Sequence, residues 1–487
     1  MLAPATVLLP VAAAVWIAAF APGRGAATAV SVGVSIATWL GCVALAVVAV
    51  FSGAPAIELG QLVPPIGLSL RVDALGAMFG LCVSLLYVPA TVHAAAWLGE
   101  RPGRTAFQAL FLFCLGAMLL VAFAANLVTL LVGYELFSLA SVLLVVHRRT
   151  RRAFRAGLKY LVYVIPGGSL ALVGTVMVYF AADSVVFTPG GLPGLGDGDQ
   201  ALRLAWACLV FGFGVKAALF PLHGWVPDAH PAAPPPFSAI LSGVMVATGV
   251  FAIVRVLYEI FGPARLEAIG VMPWLAVPAA LGVLIGGVLA VGEDELKRRL
   301  AYSTISQMGY ATLAASLLDP GALTGALVHL ANHAFIKGGL FFAVGAVAVH
   351  AGIHRVSELR GLGRRMPITA TVITLLSLAL IGLPPLSGFV GKLLLVSGAA
   401  GAGAWPALGV LLAGSVLAAL YLWPVIRETW SAPQQAQAPA LCEPRDGMWL
   451  ATVVAGGLAL LFGLGAASTG FPLALARSAA ERLAGGG

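Results

Sequence analysis

Charge is what this chain of 487 residues has least of: Lys, Arg, Asp and Glu make up 9% of it, against 60% hydrophobic residues. A soluble domain of this length needs far more charge to be wetted, so a globular enzyme is excluded. Cysteine is scarce as well. Cys42, Cys82, Cys114, Cys208 and Cys442 share no paired spacing, so neither a disulfide framework nor a metal cluster is indicated. No phosphate loop, dinucleotide fingerprint or nucleophile constellation occurs, and Gly214-Val-Lys216 belongs to no phosphate-binding motif. No cofactor is expected.

What the chain does have is apolar runs of about 20 residues, the length that crosses a bilayer. About fourteen recur, at 2–20, 27–51, 72–98, 106–124, 126–146, 155–181, 201–221, 237–257, 270–292, 299–317, 322–350, 368–397, 404–426 and 447–468. The class is an all-α polytopic membrane protein. Residues 2–20 lack the basic flank of a signal peptide and count as the first span. Loops are short, apart from a glycine-rich flexible connection around 189–198 and a linker at 430–446.

The net charge of +8 is a topology signal rather than a nucleic-acid footprint. With fourteen spans, one side receives Arg24, Arg101, Arg104, the block Arg148, Arg149, Arg151, Arg152, Arg155 and Lys159, then Lys297, Arg298, Arg299, Arg355, Arg360, Arg364, Arg365, Arg427 and Arg445. The other receives Arg71, Arg203, Arg255, Arg265, Arg477 and Arg482, a split of 18 to six. The positive-inside rule then places both termini outside a bacterial plasma membrane.

Four ionisable residues sit deep inside these runs: Glu135, Lys216, Lys337 and Lys392. A charge at the bilayer centre costs at least about 2.5–3.5 kcal/mol, so such residues mark ion or proton pathways. Glu135 lies mid-way along the fifth span, where a lone carboxylate is hard to keep charged without a cation close by. Lys216 is the candidate partner. Together they form either a switchable proton site or a static ion pair locking two helices; the latter can cost as much in desolvation as it returns. In the eleventh span His329, His333 and Lys337 fall at i, i+4 and i+8, one helix face, and imidazoles titrate near neutral pH. That stripe reads as a proton relay, with zinc ligation or helix–helix glue as rivals. Lys392 either mirrors Lys216 or serves as an exit, from a position that allows snorkelling towards a helix end. His223, Asp228 and His230 are candidates for a cytoplasmic entry, and the turn 293–299 for topology and lipid contact.

Two spans are interrupted alike. The seventh runs through Phe220-Pro221-Leu-His223-Gly-Trp-Val-Pro227 and the twelfth through Leu383-Pro384-Pro385-Leu-Ser-Gly388. Proline removes a backbone donor and clashes with the preceding turn, so both helices should be discontinuous. Broken helices five spans apart point to inverted repeats with an ion pathway at the breaks; ordinary proline kinks are the alternative.

Four ordered blocks carry a family resemblance: Gly133-Tyr-Glu135-Leu-Phe-Ser-Leu-Ala, Leu219-Phe-Pro-Leu-His-Gly-Trp-Val-Pro-Asp-Ala-His230, Asp294-Glu-Leu-Lys297-Arg-Arg-Leu-Ala-Tyr-Ser-Thr-Ile-Ser-Gln-Met-Gly309 and Leu383-Pro-Pro-Leu-Ser-Gly-Phe-Val-Gly-Lys392. Over about residues 70 to 400 the chain resembles the proton-conducting antiporter-like subunits of respiratory complex I, membrane-bound hydrogenases and multisubunit Mrp Na⁺/H⁺ antiporters. The resemblance implies three leading helices (1–105), two inverted five-helix repeats (106–257 and 258–426) and a C-terminal linker and helix (427–487). It makes Glu135, Lys216, Lys337 and Lys392 the buried charges of a mid-membrane axis. Lys392 and the chain's length look most like the D-type member of the Mrp antiporters. The expectation is a proton-conducting subunit of a Na⁺/H⁺ antiporter, not itself an enzyme, working with other membrane subunits and lipid. The alternative is a proton-pumping subunit of a redox complex; a scaffold that has lost conduction is a third reading. One departure stands out: the eighth span reads Val244-Met-Val-Ala247-Thr-Gly-Val-Phe251, where many members carry a lysine. His223, His230 or water would have to bridge that gap.

Overall fold

The computed structural model describes residues 1–51, 56–63, 66–196, 199–432, 443–465 and 470–485. Among them, eleven helices are long and apolar enough to cross a membrane. The remaining three spans are present in altered form. The seventh is Asp199–Lys216, then a break, then the short helix Val226–Ala232. The tenth, Leu296–Ala315, is unusually polar, and the twelfth is split into Pro367–Ile381 and Ser387–Gly401. Fourteen spans result, broken where the prolines fall. Each break contains a cis proline, Pro221 or Pro385.

The chain's few polar residues start its helices. Asp73, Asn126, Thr150, Asp319 and Asp446 each accept a backbone N–H of the first turn, replacing a bond the helix end lacks. Burial sorts the spans. The most apolar stretch of the eighth, Pro235–Phe261, is 100% buried, whereas in the first, second, sixth, ninth, thirteenth and fourteenth only 33–39% is, leaving apolar side chains for lipid. The third and eleventh lie with the eighth in the interior. Glycine lets helices touch backbone to backbone: a Cβ on Gly167 of the sixth span, Arg151–Ala182, would come within 3.0 Å of the Gly212 carbonyl.

Several features differ from the sequence reading. Residues between the second and third spans form a β-hairpin, β1 (Ile57–Val63) and β2 (Ile66–Leu70). An eleven-residue helix, Leu473–Leu483, follows the last span, Gly447–Leu464. The described part of the connection, 189–196, is held at its start rather than loose, since Thr188, Gly190 and Leu192 donate to carbonyls of Glu259, Tyr258 and Ile260 at the end of the eighth span, while 197 and 198 lie outside the described residues. Arg255, counted above as a topology charge, is fully buried. Most of the 430–446 linker, with Cys442, lies outside the described residues.

Candidate functional site

Lys216 is the last residue of its half-helix, where the negative end of the helix dipole favours a cation. Its ammonium donates to Tyr160 Oη at 2.6 Å, and that hydroxyl pairs with Ser141 Oγ at 2.9 Å. Three rings surround it, with centroids 4.5 Å (Phe137), 4.9 Å (Tyr160) and 5.6 Å (Tyr134) away. This is a cation–π cage built largely from the fifth span, Leu127–Val145. Glu135 lies close enough for the two charges to act on each other, yet its buried Oε1 makes no hydrogen bond. Lys216 is thus bonded to a phenol and ringed by aromatics rather than hydrogen-bonded to that Glu135 oxygen. Gly168 makes room for the carboxylate, as a Cβ there would sit 1.8 Å from Oε1.

The second break repeats the device. Lys392 is buried and donates at 2.9 Å to the carbonyl of Ile381, the last residue of the preceding half-helix. It does not snorkel: from the half-helix after the break it reaches back to the one before, whereas Lys216 ends the half-helix before its own break. Its ammonium lies 5.1 Å from the Tyr310 ring, which stacks on His329 at 5.6 Å. His329 and His333 are 6.2 Å apart, and His333 Nε2 is 3.2 Å from the Ser242 carbonyl of the eighth span. Lys337 donates to the Leu300 carbonyl at 2.6 Å and to Ser303 Oγ, both on the tenth span. Ser242 and Thr304 hydroxyls join the eighth and tenth spans at 2.7 Å. The His329–His333–Lys337 stripe thus lies on one face, inside a row that ends at Lys392. Among the described residues, no group of three His, Cys, Asp or Glu is placed to hold a metal.

The structure divides the three entry candidates. Asp228 is half-exposed and pairs with Lys159 at 2.6 Å, and His223 is half-buried against Phe220. His230, by contrast, is completely buried and stacks on Phe341 at 5.1 Å. Position 247 is a buried alanine, and Gly249, two residues on, is packed against Lys216 and Ala217.

Two groups escaped the sequence reading. Tyr160 and Ser141 surround Lys216, and Tyr310, Ser242, Ser303 and Thr304 surround the residues from Lys337 to Lys392; polar residues recurring in apolar runs were their only signal. The other is an ionic cluster at the opposite end of the third and eighth spans. Arg255 bonds both Asp73 oxygens at 2.6 and 2.8 Å and also Glu259, while Arg71 reaches Glu259 at 2.8 Å and the Phe187 carbonyl at 2.7 Å. Arg255 and Glu259, four residues apart in an otherwise apolar helix, were its trace.

Residues 124–418 match the family model described as NADH:quinone oxidoreductase/Mrp antiporter, transmembrane. The chain is 36% identical over 374 residues to NADH-quinone oxidoreductase subunit N of Desulforudis audaxviator, covering 75% of this chain and 74% of that protein. It is 35% identical over 344 residues to hydrogenase-4 component B of Escherichia coli, covering 67% of this chain but only 50% of that longer one. The fold matches a chain in the structure of the Mrp complex from Dietzia sp. at a TM-score of 0.87 and 23% identity, covering 100% of this chain and 98% of that one.

Proposed function

The chain belongs to the NADH:quinone oxidoreductase/Mrp antiporter transmembrane family, and from that premise we propose that it moves protons as a membrane subunit of a redox-driven complex. It is an antiporter-like, proton-translocating, multi-pass subunit that works among other membrane subunits. The observation that carries the proposal is a polar group at each helix break: half-buried Glu135 with buried Lys216 and the Tyr160 hydroxyl at the first, and the buried row Lys337, His333, His329 and Lys392, with the Tyr310 ring between the last two, at the second. In this reading each side chain holds a proton in turn, and the two repeats, 106–257 and 258–426, contribute one break each. The chain transfers no electrons itself; it sits in a bacterial plasma membrane with both termini outside.

The redox assignment is supported by identity to subunits whose names place them in quinone reductase and hydrogenase assemblies. A second reading, the proton-conducting subunit of a Na⁺/H⁺ antiporter, is favoured by Lys392 and by the fold shared with an Mrp chain. Inverted vesicles holding the native complex separate the two. Acidification driven by NADH or another electron donor, lost in Glu135→Ala, supports the redox pump. Na⁺-dependent ΔpH dissipation without a donor would move the chain to the antiporter, and transport that survives Glu135→Ala refutes the row as the path in either.

A further inference from the structure

Four spans end together on the arginine-rich side, and their ends border a cavity of about 520 Å³. Trp97 and Arg101 flank the end of the third, Arg148 and Arg149 follow the fifth, Thr150 caps the start of the sixth, and Val349 nearly ends the eleventh. No carboxylate lines this cavity. The acids along the same edge are engaged elsewhere, Glu100 by Arg24 at 2.8 Å and Glu295 by Arg152 at 2.7 Å. Among the described residues, the guanidinium groups of Arg101, Arg148 and Arg149 form no ion pair. Arg101 and Arg148 instead share one indole, their Cζ atoms lying 4.9 and 5.8 Å from the buried Trp97 ring. They are near enough to repel each other, and the 32-residue sixth span points the positive end of its dipole here. Nothing on the protein balances this charge, and guanidinium forks fit the oxygens of a phosphate. The place in the membrane narrows the ligand further. A tryptophan at a span end sits at headgroup level, and basic clusters beside a span end recognise anionic lipid. From Thr150, exposed Phe154 and Leu158 follow at i+4 and i+8, so an apolar strip runs from the cavity along one face of the sixth span.

We propose that this cavity binds the phosphate of an anionic phospholipid, with Arg101 and Arg148 as its donors and an acyl chain lying along Phe154 and Leu158. A soluble phosphate compound would meet the same guanidinium groups, but it has no use for the apolar strip. The site shares no residue with the groups at either helix break, so it stands whichever complex the chain serves.

The test uses the assembled complex in phosphatidylcholine vesicles doped with a phosphatidylglycerol that carries a photoreactive diazirine near the head end of one acyl chain. After illumination, labelled peptides are mapped by mass spectrometry. Label on residues 154–162 should be displaced by excess unlabelled phosphatidylglycerol and not by zwitterionic phosphatidylethanolamine. Arg101→Gln combined with Arg148→Gln removes two charge-assisted hydrogen bonds, each worth about tenfold in affinity. The mole fraction of probe giving half-maximal label should therefore rise by about a hundredfold. Arg151→Gln combined with Arg155→Gln removes the same charge from exposed positions outside the cavity and should lose far less. An equal loss there means diffuse attraction to a basic surface and overturns the site. Displacement by phosphatidylethanolamine, or by soluble glycerol phosphate, overturns the anionic-lipid assignment. If the Arg101→Gln, Arg148→Gln protein does not assemble, competition in the wild-type complex decides alone.

Discussion

Gly168→Ala is the most incisive perturbation available, because it alters no titratable group. The added Cβ would lie 1.8 Å from Glu135 Oε1, so the oxygen must retreat by about 1.6 Å to reach ordinary contact at 3.4 Å. Overpacking of this kind typically costs about 1–3 kcal/mol, which a helix packed along its length can absorb. The proton step is less tolerant: misplacing a reacting group by about 1 Å can cost on the order of a hundredfold in rate. Donor- or cation-driven ΔpH, measured by dye quenching in inverted vesicles and normalised to assembled complex on a native gel, should therefore fall by about that factor. Gly174→Ala is the control on the same span. Its Cβ would meet Leu209 Cγ at 2.7 Å and the Ala205 carbonyl at 3.0 Å, so it crowds the seventh span without touching Glu135. The reasoning is refuted if Gly168→Ala translocates at the wild-type rate, or if Gly174→Ala loses as much per assembled complex.

Two further outcomes follow from other parts of the molecule. Arg255→Met removes the guanidinium that Asp73 and Glu259 share, leaving Arg71 to serve both carboxylates. Breaking a buried ionic group in this way costs about 3–5 kcal/mol; thermal unfolding of the purified complex should show it, and an unchanged midpoint would rule it out. Outside the spans, Glu358 accepts the backbone N–H groups of His354 at 2.9 Å and Arg355 at 3.1 Å. Those bonds hold its carboxyl below the usual carboxylate value of 4.5. Because the folded value is depressed, the ordering it gives this loop is complete above the unfolded value and lost as pH falls through the folded one. Amide exchange at His354 and Arg355, corrected for intrinsic rates, should quicken below that window, and Glu358→Ala should exchange fast at neutral pH.

The sequence was most informative where a residue broke a strong rule. An ionisable group in an apolar run or a proline in mid-helix has few explanations, so Glu135, Lys216, Lys337, Lys392 and both breaks were legible. So was the stripe at 329, 333 and 337, because helical spacing alone determines which residues share a face. What could not be read is who faces whom between helices. Tyr160 and Tyr310 complete the lysine surroundings from other spans, and nothing in their local sequence says so. Arg255 and Glu259 lie near a helix end, where charges ordinarily meet headgroups, and only packing against Asp73 reveals a buried cluster. His230 follows a proline-rich break that reads as a surface loop. The break folds back into the molecule instead and buries the ring. The hairpin β1–β2 was missed because its strands are short and sit beside long apolar runs that dominate the pattern.

The partners of the three lysines have one further consequence. Lys337 is held by a carbonyl and a hydroxyl, Lys392 by a carbonyl and Lys216 by a phenol. An ammonium has three donors and a neutral amine keeps two, so every one of these bonds survives loss of the proton. None of the acceptors can take that proton away, as a carboxylate could. Each lysine thus behaves like the plate of a capacitor, charged and discharged in a fixed mounting, and its side chain has no need to travel for its charge to change.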